Sequence, residues 1–164
     1  MKSVSILIVG ACASVAHAAA IDVVGVYAGT WNTHITQLET PYSAARTEDT
    51  TVRNECWRSG EFQLCHQYVD DKSAAMLVFN CAPGGTICAT YPITPDADAA
   101  ARGTLMAQGD MWTFPWHEAH AGKTMYFRVV NVLVSADAID YRREYSDDQV
   151  HWHVMATGHE TRQR

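Results

Sequence analysis

Turn-forming residues interrupt this chain at intervals of about ten residues, a spacing that leaves room for little but short strands. Ser59-Gly60, Asp70-Asp71, Pro83-Gly84-Gly85, Gly122, Ala136-Asp137 and Asp147-Asp148 separate runs rich in Val, Thr and aromatics. The paired aspartates suit bends, because their side chains bond the local backbone. Strands are expected near 24–36, 49–57, 62–69, 74–81, 86–93, 103–108, 110–117, 123–134, 138–146 and 149–158. One short turn of helix is expected before the first of these or in 95–101. Strands with one apolar face and exposed edges invite aggregation, and closure removes the edges. The fold class expected is therefore all-β, a single antiparallel up-and-down barrel of about 8–10 strands, a size that holds one small ligand.

The chain has 164 residues, enough for one domain. Residues 1–20 read as a signal peptide: Lys2 begins it, "VSILIV" is a short apolar core, and Ala16-His17-Ala18 offers a cleavage pattern. Residues 21–164 are then the barrel domain, periplasmic or secreted. "VGAC" also resembles a lipoprotein box, which would anchor the chain by a lipid on Cys12. The apolar run is too short to span a bilayer, so no integral membrane segment is expected after cleavage. Four further cysteines allow three disulfide connectivities. "CWRSGEFQLC" and "CAPGGTIC" each read as a hairpin whose cysteines face one another. Cys56–Cys65 and Cys81–Cys88 are therefore expected, the first on the outer wall. A net charge of −6 argues against nucleic acid as a partner, since phosphate contacts need clustered Lys and Arg.

Alternation assigns faces, because successive strand side chains point opposite ways. Trp112, Phe114 and Trp116 share one side of their strand. Phe62, Leu64, His66 and Tyr68 share another, with Trp57 beside them and Cys65 opposite. Centring the last bends on Ala136-Asp137 and Asp147-Asp148 pairs Val130 with Arg143 and Arg143 with Trp152. One mostly apolar face then carries Tyr126, Arg128, Val130, Val132, Val134, Ile139, Tyr141, Arg143, Tyr145, Val150, Trp152 and Val154, so two guanidinium groups point into the core. The opposite face carries Arg142, Glu144, His151 and His153.

"GTW" (Gly29, Thr30, Trp31) at the start of the first long strand, with an arginine near the chain end, resembles the calycin group of lipocalins, fatty-acid-binding proteins and bacterial lipocalin-like barrels. The resemblance implies that Trp31 packs on the barrel floor against a late arginine, Arg143 or Arg162. Arg143-x-Tyr145 also resembles the Arg-x-Tyr pair with which fatty-acid-binding proteins hold a carboxylate, and Arg128 would serve as a second cation. Independently, a buried guanidinium is costly unless paired, and its planar fork suits a carboxylate.

The leading functional expectation is thus an exported barrel binding a small apolar molecule that carries a carboxylate. Trp31, Trp57, Phe62, Tyr68, Trp112, Phe114, Trp116 and Trp152 would line the cavity, and Arg128, Arg143, Tyr126, Tyr141 and Tyr145 would hold the head group. One alternative is an enzyme on the same barrel, an isomerase, a cyclase or a haem-dependent catalyst, with His66 as acid–base residue or axial ligand. Another is a structural or interaction protein whose own aromatics fill the core. No cofactor is required by the first reading. No metal site is expected: His151 and His153 with Glu144 face solvent beside Arg142, and "WHEAH" lacks the helical zinc-protease spacing.

Overall fold

The computed structural model describes residues 19–96 and 102–164. The segment expected to be a signal peptide, apart from its last two residues, and Cys12 lie outside the described residues, as does most of the Ala/Asp stretch at 95–101.

A six-residue helix, α1 (Ala20–Gly25), precedes ten strands: β1 (Gly29–Gln37), β2 (Arg46–Ser59), β3 (Phe62–Val69), β4 (Lys72–Cys81), β5 (Ile87–Ile93), β6 (Gly103–Gln108), β7 (Met111–His120), β8 (Lys123–Ser135), β9 (Ala138–Ser146) and β10 (His153–Arg162). Each strand pairs antiparallel with its sequence neighbours, and β1 also pairs with β10. The sheet therefore closes into an up-and-down barrel with no free edge.

α1 plugs one end. Its Ala20 and Val24 are buried, and the Ala20 N–H bonds the Gly85 carbonyl in the β4–β5 turn at 2.9 Å. Beneath it the Trp31 indole donates to the Tyr27 carbonyl at 3.1 Å. The Arg162 guanidinium lies 4.2 Å over the Trp31 ring and donates to the carbonyls of Val26 and Ala28. The late arginine on Trp31 is thus Arg162, not Arg143. Gly29 is required here: φ is +113°, and a Cβ at that position would stand 2.7 Å from Arg162 Nη1.

Both disulfides join directly paired residues of adjacent strands, with Cα atoms 4.1 Å apart for Cys56–Cys65 and 4.2 Å for Cys81–Cys88. The first is not on the outer wall. Cys65, Cys81 and Cys88 are all buried in the floor cluster with Leu105, Trp112 and Ile139. The inward face of β3 is Gln63, Cys65, Gln67 and Val69, so the expected apolar face points out, with Trp57 46% and Phe62 43% exposed. The buried disulfides, not the heavier aromatics, set the parity of this wall.

The β8–β9 hairpin carries a bulge that pairs Leu133 with Ile139 and Ser135 with Ala138, leaving Val134 unmatched and half exposed. A slip of one residue turns every side chain of a strand over. Val129, not Val130, therefore opposes Arg143. Ile139, Tyr141, Arg143 and Tyr145 face inward as expected, whereas Tyr126, Arg128, Val130, Val132 and Val134 belong to the outer wall.

The last bend is also wider than expected. Ser146 Oγ accepts the N–H groups of Asp148 and Gln149, and Asp148 Oδ1 accepts those of Val150 and His151. This loop delays β10 to His153 and carries Trp152 outside, where Arg128 stacks on its ring at 3.9 Å.

Candidate functional site

Between the floor and the mouth the barrel encloses a cavity of ≈ 560 Å³, within the range of small-molecule sites. The core is therefore not filled solid by its aromatics. Its apolar lining comes from Ile35 and Val52 of β1 and β2, Leu77 and Phe79 of β4, Phe114 of β7 and Val129 of β8. Polar groups are set among these: Thr33, Tyr141, Arg143 and Glu160 from β1, β9 and β10, Asn131 of β8, Tyr27 after α1, and the hydrogen-bonded Asn54 and Gln67 of β2 and β3.

Tyr141 and Arg143 occupy consecutive inward positions of β9. Arg143 Nε donates to the Tyr141 hydroxyl at 3.0 Å. The Tyr141 ring lies across Gly158 of β10, where a Cβ would approach it to 3.3 Å. A glycine there lets the phenol lie flat against the strand and hold the guanidinium. Burial raises the Tyr141 pKa against the opposing pull of Arg143, so the phenol stays neutral and brings no counter-charge to the guanidinium. Among the described residues, no carboxylate forms an ion pair with Arg143. The contrast with Arg128 is direct: on the outer wall its Nε donates to the buried Glu144 carboxylate at 2.6 Å, and Arg142 adds a second contact at 3.3 Å.

Deeper in the cavity, Glu160 of β10 sits directly opposite Thr33 of β1. Burial pushes its carboxyl up to about 7. Thr33 Oγ1 is buried with no hydrogen-bond partner among the described residues. The Tyr27 hydroxyl oxygen accepts from Trp112 Nε1 and from Asn131 Nδ2, the latter at 2.7 Å. Burial raises the Tyr27 phenol far above its usual range, so it keeps its proton.

The mouth is built differently. Tyr42, on the β1–β2 loop, meets His120, Phe127 and Tyr145 edge-on, with ring centroids 4.9–5.4 Å apart. Trp116, half exposed at the rim, stacks on Phe127.

Of the expected site residues, the structure brings Tyr141 and Arg143 together in the cavity and sets Tyr145 at its mouth. The hydrogen-bonded pair is Tyr141-x-Arg143 rather than Arg143-x-Tyr145. Trp31 and Trp112 are floor, beneath the cavity. Trp57, Phe62, Tyr68, Tyr126, Arg128 and Trp152 are outside it. His66 is also outside, with Nε2 2.8 Å from Ser73 Oγ and Nδ1 3.0 Å from the Tyr68 hydroxyl. The acid–base or haem role considered for His66 therefore has no enclosed site. Among the described residues, no three His, Cys, Asp or Glu side chains converge as metal ligands. Glu160, Thr33 and Tyr27 went unnoticed in the sequence. The signal was available, because Glu160 shares parity with Arg162, the candidate partner of Trp31.

No family model matches the chain, and no curated protein matches it. Solved structures do. The S-type phycobiliprotein lyase CPES from Guillardia theta superimposes with a TM-score of 0.54 at 8% identity, over 90% of this chain and 94% of that one. Rv2717c from M. tuberculosis superimposes with a TM-score of 0.51 at 13% identity, over 90% and 99%. The likeness is one of fold. It extends over nearly the whole barrel, and at these identities it carries no side chain of the cavity with it.

Proposed function

We propose that this chain is an exported, lipocalin-like binding barrel that encloses a small, largely apolar molecule and holds its carboxylate on Arg143. The observation that carries the reading is a guanidinium inside the cavity with a phenol on its Nε and, among the described residues, no acid on its remaining donors. A desolvated charge of that kind is costly until a counter-charge arrives, and its free N–H groups match a carboxylate. The apolar wall would supply most of the affinity, roughly 25 cal/mol per Å² removed from water before the costs of association, and Arg143 would set the orientation. Structural neighbours at full barrel length, one of them named a phycobiliprotein lyase, are consistent with a barrel of this shape handling small molecules. Export agrees with the two disulfides, which persist in oxidising compartments, and with the N-terminal sequence.

Native mass spectrometry of the protein purified from its own host tests the proposal. The wild type should retain an acidic small molecule that Arg143→Met releases. A wild type without any adduct, or an adduct indifferent to Arg143→Met, would overturn it.

A further inference from the structure

Arg143 accounts for one end of the cavity and leaves the other unexplained. Arg143 faces Ala156 across the β9–β10 pair, and Glu160 lies four residues further along β10 toward the floor. At strand rise this places the two positions roughly 13 Å apart along the strand direction. Around Glu160 the hydrogen-bonding inventory does not close. Among the described residues the carboxyl has no hydrogen-bond donor and the Thr33 hydroxyl opposite has no partner. The Tyr27 oxygen already receives two N–H groups, so its own proton remains to be given. Buried polar groups are almost always paired. Here an acceptor, a donor and an uncommitted hydroxyl share one cavity floor, each within reach of something that enters from above.

We propose that the floor is a second recognition point, at which Glu160 accepts from, and Tyr27 donates to, a terminal hydroxyl of the bound molecule, with Thr33 completing the ring. This deepens the reading of Arg143 and rests on it: the ligand is an elongated molecule with a carboxylate at the mouth end, an apolar middle and a hydroxyl at the floor end. A hydroxyl fits because it donates and accepts through one atom, as the floor requires. A bare methyl would leave both Glu160 and Thr33 desolvated and unpaired.

Isothermal calorimetry with decanoate and 10-hydroxydecanoate tests the inference, since the extended chain of the second matches the Arg143–Glu160 span. The wild type should bind the hydroxy acid about tenfold more tightly, the value of one well-made hydrogen bond. Glu160→Met should abolish that preference. If Glu160→Met does not fold, Thr33→Val serves, and it should reduce the preference at least to about a third. Equal affinity of the wild type for both probes, with both weakened by Arg143→Met, would overturn the floor site and leave the head-group reading standing. A preference that survives Glu160→Met, or Thr33→Val where that variant is used, would also overturn it. Failure of both probes to bind would overturn the two readings together.

Discussion

At the floor, Trp31 is buried under α1, roofed by Arg162 and hydrogen-bonded to the Tyr27 carbonyl, and both disulfides lie alongside it. At the mouth, Tyr42 rests on three aromatic rings from a loop that is tied to β10 at its first residue, by the Leu38 N–H on the Met155 carbonyl, and is otherwise cross-linked locally, by a Thr40–Ser43 bridge and a bond from Ser43 Oγ to the Leu38 carbonyl. Both ends are rich in aromatic rings. What differs is how each ring is tied down. Floor rings are held by backbone carbonyls, a guanidinium and covalent bonds, so they hold the cylinder shut. Mouth rings hold one another, and one of them, Tyr42, is carried on a loop, so it can move aside without breaking a strand pair. A closed floor and a yielding mouth are what a barrel needs to admit a molecule at one end only.

Four perturbations sharpen that comparison. Trp31→Ala should have the largest effect, about 3–5 kcal/mol of unfolding free energy in urea, because a large indole is lost and Arg162 is left above a void. A loss below about 1 kcal/mol would mean the floor is not the keystone described here. Next comes Glu160, on the cavity floor. Its folded-state pKa, about 7, lies above the 4.5 of a carboxyl in water. The folded state thus holds the proton more tightly, and the stabilisation is complete below about pH 4.5 and lost as pH rises through about 7. The gap corresponds to about 3 kcal/mol. Stability of the empty wild type should fall relative to Glu160→Gln between about pH 5 and pH 8, and parallel curves would place the carboxyl in water.

Replacing Cys56 and Cys65 together by serine should cost about 2–3 kcal/mol for a cross-link of sequence separation 9, and the barrel should stay closed. The smallest effect belongs to the mouth. Tyr42→Ala should cost less than about 1.5 kcal/mol yet speed both entry and exit of a fluorescent ligand in stopped flow. Unchanged rates would show that Tyr42 does not gate the cavity.

How far the chain could be read in advance follows the same division between local and non-local constraint. Ten strands, their approximate limits and both disulfides were legible, because turn residues and cysteine spacing act locally. The β9 face was legible too, since Ile139, Tyr141, Arg143 and Tyr145 alternate without interruption. The β8 face was not: the bulge at Val134 adds one residue to a hairpin whose turn looks ordinary, and it sends Arg128 outward. Trp152 went outside for a related reason, since Ser146 and Asp148 wrap the backbone into a loop wider than the tight bend that Asp147-Asp148 suggests. On β3, bulk misled. Phe62, Leu64 and Tyr68 outweigh Gln63, Cys65 and Gln67 in hydrophobicity, yet the disulfide at Cys65 belongs to the buried floor and fixes the parity. Glu160 in "GHETR" looks like a solvated charge until Arg162 is placed on Trp31.

Neighbouring arginines on β9 give the most direct test, because only one of them faces the cavity. Fluorescence titration with the anionic dye 1-anilinonaphthalene-8-sulfonate should show tight, saturable binding to the wild type and to Arg142→Met, whose side chain lies outside beside Glu144. Arg143→Met should weaken it at least about tenfold, the loss of a charge-assisted contact. Equal binding by Arg143→Met, or a loss confined to Arg142→Met, would contradict the inward guanidinium on which the account stands.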